Sequence, residues 1–133
     1  MAALPKLIGR IDALGRPIVR VAVVGRDDDC LATVDTGFNG EIMMTLGDAR
    51  TLGTRILDDN EEVQLGHGRS VGVRIGQMRL RWLGAERDVS VFISDQSVPT
   101  RSGPVLLIGT ALLKPNLLLI DFALNTVEIE TQD

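Results

Sequence analysis

The tripeptide Asp35-Thr36-Gly37 is the part of this sequence whose residue types most clearly indicate chemistry. It follows the apolar segment 31–34, which has the composition of a core strand. Burying an unpaired carboxylate is costly, so Asp35 must be partnered, protonated or functional. Two carboxylates held side by side share one proton and can act as acid and base on a water molecule. The tripeptide occurs once, so such a pair would need a second copy of the chain.

Length and composition indicate one globular domain. The 133 residues are 44% apolar and 24% charged, which is ordinary for a folded domain with a substantial core. Fourteen glycines exceed the roughly 7% that is usual, so many tight turns are expected. We therefore treat residues 1–133 as a single domain.

Charge and residue counts exclude several kinds of site. The net charge of -4 comes without any basic block, and the chain has only one Trp, three Phe and no Tyr, so no nucleic-acid partner is expected. One Cys and one His argue against disulfides and zinc. The acidic run 27–29 lacks the spacing of a calcium loop and reads as a solvated hairpin tip. We expect no metal and no cofactor.

No part of the sequence reads as a membrane or export segment. The apolar residues of segment 1–10 are interrupted by Lys6, Gly9 and Arg10, which is unlike a signal peptide. No stretch approaches the roughly 18 apolar residues of a membrane-spanning helix. The expectation is a soluble, cytoplasmic protein that does not associate with membranes.

The elements that must position Asp35 are mostly strands and turns. Segment 17–24 is rich in β-branched residues, and segment 30–35 returns after a polar turn. Residues 45–48 have the form of a capping box, with Asp48 in place of the usual Glu, and predict a short helix to Leu52 that Gly53 ends. The acidic residues 58–62 are expected to form an exposed turn.

The second half of the chain continues this pattern. A hairpin is predicted with a glycine-rich tip at Gly66-His67-Gly68. Further strands are predicted at 79–82, 89–93, 105–108, 117–122 and 126–129. Segment 105–108 is continuously apolar and predicts a strand buried on both faces, after which Thr110 would cap a very short helix.

A faint internal repeat relates two turns. Segments 17–37 and 78–109 both run strand, turn and strand into an apolar segment that ends in small residues. In this alignment residues 34–37 correspond to 107–110. The repeat predicts that these two turns lie near each other in space.

On these motifs the chain resembles the retropepsin family of retroviral-type aspartic proteases, in particular bacterial and archaeal single-domain members with D-T-G-F. The resemblance rests on Asp35-Thr36-Gly37-Phe38, on the glycine-rich hairpin tip and on the segment 107–113, Leu-Ile-Gly-Thr-Ala-Leu-Leu. It covers residues 17–129. It implies an all-β, single-lobe acid protease barrel with one or two short helices, assembled as a two-fold homodimer.

The resemblance also implies roles for individual residues. Asp35 would supply one carboxylate of the catalytic pair, Thr36 would bond across the dimer axis, and Gly37 would allow close backbone approach. Ile108 and Gly109 would border the substrate site, and Gly109 would let its segment pack against the Asp35 turn. Phe38 departs from the retroviral pattern; it follows the tripeptide directly, so its ring would either fill part of the substrate groove or merely pack. Gly66, His67 and Gly68 would form a flap that closes over a peptide or protein substrate by strand addition.

Three functional interpretations stay open at this point. The first is a homodimeric aspartic endopeptidase, which the intact Asp35-Thr36-Gly37 favours. The second is a dimeric module of the same fold that binds a peptide or partner protein with little or no catalysis. Phe38 supports that alternative because retroviral members usually have a small residue there. In the third, Asp35 only caps a turn.

Overall fold

The computed structural model describes residues 4–64, 70–95, 100 and 102–132, with the backbone alone described for 58–64 and 70–73. The ten strands are β1 (Lys6–Ile11), β2 (Pro17–Val23), β3 (Cys30–Val34), β4 (Ile42–Thr45), β5 (Arg55–Gln64), β6 (Ser70–Trp82), β7 (Ala85–Ser94), β8 (Val105–Ile108), β9 (Leu117–Asp121) and β10 (Thr126–Glu130). The two helices are α1 (Leu46–Leu52) and α2 (Thr110–Leu113). Neither helix is long enough to cross a membrane.

The strands form one sheet that closes on itself. Their order is β5-β6-β7-β4-β8-β3-β2-β1-β10-β9, and an additional pairing between β6 and β2 joins six of them into a barrel. Strands β1, β10 and β9 extend the sheet beyond the barrel. The prediction of an all-β barrel with one or two short helices is confirmed.

Alternation along β3 decides which side chains reach the core. Cys30, Ala32 and Val34 are buried, whereas Leu31 and Thr33 are half-buried on the opposite face. Because side chains alternate along a strand, Asp35 continues the face of Leu31 and Thr33. The carboxylate is therefore directed away from the barrel core, although its strand lines that core.

Two parallel strands bring the distant turns together. β3 and β8 pair in parallel, with Val34 opposite Ile108. The turn after β3 and the turn after β8 consequently emerge side by side at one end of the sheet. The spatial proximity predicted from the internal repeat is confirmed.

Helix α1 begins and ends where its sequence indicated. The Thr45 hydroxyl accepts a hydrogen bond from the Asp48 N–H at 3.0 Å, and Gly53 adopts a left-handed conformation with φ of 68°. The second half of the predicted capping box is not formed, because the Asp48 carboxylate has other partners, described below.

Three sequence-based expectations are corrected by the sheet. Residues 58–62, expected as a turn, belong to β5, whose pairing with β6 contains register shifts before and after Asp58. β8 is buried on one face only, since Val105 and Leu107 are half-buried. Thr110 is the first residue of α2 and does not cap it.

The C-terminal strand also differs from expectation. As a terminal strand, segment 126–129 is expected from the sequence to be an exposed edge that a second chain covers in the dimer. In the structure β10 is paired on both sides, by β1 and by β9, so both of its backbone edges are satisfied within the chain. The outermost strand at this side of the sheet is β9.

Candidate active site

The turn after β3 holds Asp35 by backbone hydrogen bonds. The Asp35 N–H donates to the Ile108 carbonyl at 2.8 Å, and the Phe38 N–H donates to the Asp35 carbonyl at 3.2 Å. The Gly37 N–H donates to Asp35 Oδ1 at 2.8 Å. Oδ2 receives no hydrogen bond from the described residues. The side chain is thus fixed through one oxygen while the other remains available.

Gly37 leaves the space that this carboxylate occupies. A Cβ at position 37 would lie 3.2 Å from Asp35 Oδ1, which is closer than most real Cβ contacts. Thr36, next to it, is exposed. The tripeptide therefore combines a fixed carboxylate, an accessible hydroxyl residue and a glycine without a side chain to obstruct the carboxylate.

Gly109 lies directly beneath this turn. The Gly109 N–H donates to the Glu41 carbonyl at 3.0 Å, and the Thr110 N–H donates to the Phe38 carbonyl at 2.8 Å. A Cβ on Gly109 would lie 2.5 Å from Phe38 Cδ2 and 2.6 Å from the Phe38 oxygen, distances that atoms do not tolerate. Glycine is required here because two chain segments cross in contact.

Phe38 is a packing residue of the turn. Its side chain is only 5% exposed, and its ring meets that of Phe92 edge to face, with centroids 5.6 Å apart and an interplanar angle of 72°. Gly40 and Gly109 provide the room for this ring. A ring so buried has almost no surface to offer a substrate, so Phe38 acts on the site through the position of the turn.

A groove lies along β8, the strand that pairs with β3. Strand register places Thr33 beside Leu107, and Leu107 beside Met43. Met43 and Leu107, together with neighbouring residues, border a cavity of about 290 Å³, whose further lining includes Thr45, Ser94, Thr100 and Val105. Its walls are mainly apolar and its rim carries hydroxyl groups. A groove of this size and composition can accept one apolar side chain of a ligand.

The predicted substrate-contact residues differ in where they lie. Ile108 is fully buried in the core, and the residue of β8 that shares the Asp35 face is its neighbour Leu107. Gly109 is buried under the turn. Gly66, His67 and Gly68 lie outside the described residues, in the connection between β5 and β6. Sequence reasoning missed Met43 and Leu107, although extending the alternation of β3 to β8 would have indicated Leu107.

The described residues offer no other obvious chemistry. No group of three or more His, Cys, Asp or Glu side chains is placed to hold a metal ion in the described ranges. Cys30 is buried at the start of β3, and desolvation raises the pKa of its thiol, which disfavours a thiolate nucleophile. Asp35 is therefore the candidate reactive group of this site.

Comparisons with known proteins give a match in structure but none in sequence. No protein-family model matches the sequence, and no curated protein matches it. Among solved structures, a retropepsin-like aspartic protease from Rickettsia conorii superposes with a TM-score of 0.61 at 16% sequence identity. The match covers 96% of this chain and 91% of that one. Since so low an identity is informative about architecture alone, the conclusion is that this chain has the retropepsin-like fold.

Proposed function

We propose that this protein is an aspartic endopeptidase that works as a homodimer, with one Asp35 contributed by each chain. The observation that carries the proposal is the state of Asp35: half-buried, fixed through Oδ1 by Gly37, and without a described partner on Oδ2. A carboxylate that only capped a turn would not need a rigid crossing beneath it or an apolar groove beside it.

The chemistry follows from two carboxylates that share one proton. The ionised Asp35 takes a proton from a water molecule, whose oxygen attacks the carbonyl carbon of the peptide bond. The protonated Asp35 gives its proton to the carbonyl oxygen. When the tetrahedral intermediate collapses, the C–N bond breaks, the leaving nitrogen takes up a proton from the pair, and one hydroxyl of the intermediate returns a proton to the pair as the carbonyl re-forms. Thr36 and Gly37 would hold the two turns in register and at close range.

Exposed apolar side chains support a second copy at this end of the molecule. Leu14, Leu124 and Phe122 are 77%, 71% and 67% exposed. They occupy the β1–β2 and β9–β10 turns. These turns lie at the same end of the sheet as the Asp35 turn, because strand register links Thr33 to Asp121 across β3, β2, β1, β10 and β9. Four strand spacings amount to about 19 Å. One contact patch of ordinary size, about 800 Å² per partner, could cover this distance.

The two apolar turns are also rigid. Asp12 Oδ1 accepts hydrogen bonds from the N–H groups of Leu14 and Arg16 at 3.0 and 2.9 Å. Asp121 Oδ1 accepts from the N–H groups of Ala123 and Leu124 at 3.0 and 3.1 Å. Large apolar side chains presented on ordered turns lose little conformational entropy on association. This supports contact with a partner rather than solvent.

The proposed substrate is a peptide or protein in extended conformation. Its backbone would pass over Asp35 and its apolar side chain would enter the groove at Leu107. Gly66, His67 and Gly68 are proposed as the covering hairpin, as the resemblance implies. A cytoplasmic location and the absence of a nucleic-acid partner remain parts of this proposal.

A subunit-mixing experiment tests the shared site. Wild-type chain and the Asp35→Asn variant are combined in equal amounts, allowed to exchange, and assayed on a peptide library from about pH 4 to 7, the range in which a proton-sharing pair operates. Random pairing leaves about a quarter of the activity if both carboxylates are needed, and about a half if each chain acts alone. Wild type mixed with itself is the control.

Two results would contradict the proposal. Retention of half the activity would show that one chain suffices. Binding of peptides without cleavage at any pH would instead favour the second candidate, a dimeric peptide-binding module. Sedimentation of the same samples shows whether the chain is a dimer at the assay concentration.

A further inference from the structure

Asp48 is the only charged side chain that is buried among the described residues, with 1% exposure. Its Oδ1 accepts a hydrogen bond from the Thr100 N–H at 2.7 Å. Its Oδ2 accepts from the Thr100 hydroxyl at 2.7 Å and from the Val105 N–H at 3.3 Å. We call this arrangement of Asp48, Thr100 and Val105 the Asp48 clasp.

The clasp joins segments that are far apart in sequence. Asp48 is in the first turn of α1, 52 residues from Thr100 and 57 from Val105, the first residue of β8. No described cation forms an ion pair with it, so its charge is compensated by hydrogen bonds alone. Hydrogen bonds to an ionised acceptor are short and stronger than neutral ones, which makes the clasp a firm connection between α1 and the start of β8.

The clasp forms one wall of the groove along β8. Asp48, Thr100 and Val105 all line the cavity of about 290 Å³, and Leu107 and Met43 border it as well. Val105 and Leu107 lie on the same face of β8, next to Leu31 and Thr33 of β3. A change in the position of Thr100 or Val105 therefore changes the width of this groove.

We propose that Asp48 is a positioning residue that sets the width of this groove through Thr100, and so selects a branched apolar side chain of the substrate close to the cleaved bond. The inference rests on the proposed peptidase function, and it assigns that function a specificity. Asp48 itself is too buried to touch a ligand, so its effect is transmitted by Thr100 and Val105.

A purely structural role for Asp48 makes a different prediction. In that case, weakening the clasp would lower stability and leave the relative affinity for different side chains unchanged. The variant Thr100→Val separates the two roles, because it keeps the shape and the backbone N–H of Thr100 and removes only the hydroxyl bond. Thr100→Ser keeps both bonds and is the matched control.

The test measures binding rather than turnover. Wild type, Thr100→Val and Thr100→Ser are titrated calorimetrically with two uncleavable peptides that carry a hydroxyl isostere at the scissile position. The peptides differ only in Leu or Ala next to the isostere. Wild type and Thr100→Ser should bind the Leu peptide about 10-fold more tightly or better, the discrimination expected of an apolar pocket. Thr100→Val should reduce this ratio by about threefold, and Asp48→Asn by more.

The outcomes distinguish the two proposals. If Thr100→Val lowers the melting temperature but keeps the wild-type ratio of affinities, Asp48 is not a specificity residue and the inference is overturned. If wild type binds both peptides equally, the groove does not select apolar side chains and the inference is overturned while peptide binding stands. If wild type binds neither peptide, the proposed function itself fails.

Discussion

The Asp35 turn and the Asp48 clasp each depend on an aspartate, but the two aspartates differ in burial and in hydrogen bonding. Asp48 is 1% exposed and both of its oxygens are bonded, to Thr100 and Val105. Asp35 is half-buried, and the described residues bond only its Oδ1, through Gly37. Both oxygens of Asp48 are engaged by groups of the protein itself, and its burial keeps a substrate away from it. A carboxylate held through one oxygen is both oriented and available.

This difference separates Asp48 from the candidate catalytic aspartate within one fold. Both residues come after an apolar strand and both accept backbone N–H groups, so these two properties do not distinguish them. Burial and the number of bonded oxygens do distinguish this pair. The same comparison predicts how substitutions in each region will affect activity and stability.

The largest expected effect is on catalysis, from Asp35→Asn. The amide can still accept the Gly37 N–H through its oxygen, so the fold is retained, but it cannot exchange a proton with water. We expect peptidase activity to fall by about 10²- to 10⁴-fold, the usual contribution of acid–base catalysis. Activity assays with melting curves on the same samples check this. An unchanged rate would mean that Asp35 is not the reactive carboxylate.

The next largest effect is expected at Phe38, which supports the Asp35 turn from below. Its ring is 5% exposed and packs against Phe92, so Phe38→Ala should destabilise the protein by about 3–5 kcal/mol. Urea unfolding measures the change, with Leu57→Ala, at an exposed position outside the proposed contact patch, as the control. A changed substrate preference at constant stability would show instead that Phe38 faces the substrate.

Removing the buried carboxylate should affect stability more than chemistry. Asp48→Ala leaves the N–H groups of Thr100 and Val105 without their acceptor, and we expect a loss of about 2–4 kcal/mol. Asp28→Ala, at an exposed position, is the matched control and should change stability little. If Asp48→Ala were as stable as wild type, solvent would have to reach these N–H groups and the clasp would not be a firm connection.

A smaller effect is expected from the cap of α1. Thr45 accepts the Asp48 N–H at 3.0 Å, so Thr45→Ala should cost about 1 kcal/mol, whereas Thr45→Ser should retain most of the stability. Chemical unfolding of the two variants measures the difference. Equal losses in both would indicate that the methyl group, not the hydroxyl, is what matters at this position.

The smallest effect concerns Asp12, a half-buried carboxylate whose two oxygens both accept hydrogen bonds. The Arg16 N–H, with further contributions from the Arg16 guanidinium and the Leu14 N–H, lowers the pKa of Asp12 below its ordinary value of 3.8. Because the folded state prefers the ionised form, this stabilisation is present above pH 3.8 and is lost as pH falls through the lowered value. Melting temperatures of wild type and Asp12→Asn should therefore differ at pH 6 and converge in acid. A constant difference would exclude this linkage.

Several features of the protein were determined by local sequence. Helix α1 was predictable because Thr45 and Gly53 satisfy its ends within a few residues. Strands β2 and β3 were predictable from β-branched and apolar composition, and Asp35-Thr36-Gly37 identified the candidate site because a carboxylate after a core strand needs a reason. These signals come from residues that are close together in sequence, so they can be recognised without knowledge of the tertiary structure.

Other features were decided only by the tertiary structure. Whether Leu107 or Ile108 lies on the Asp35 face depends on the pairing of β8 with β3. The paired residues of these two strands are 74 positions apart in sequence. The short strand β4 and the strand β1 were not predicted, and β10 was taken for an edge because its partner β1 lies at the other end of the chain. Residues 58–62 form a strand because β6 supplies their hydrogen bonds.

Asp48 shows the limit most clearly. Its sequence context predicts a capping-box residue, which makes one bond through its N–H and another through its side chain. The bond from the Asp48 N–H to Thr45 is present. Its carboxylate instead binds groups 52 and 57 residues away. Sequence determined which donors and acceptors each segment carries, but only the folded chain decided which of them meet, because buried polar groups are satisfied by whatever partners the packing brings within reach.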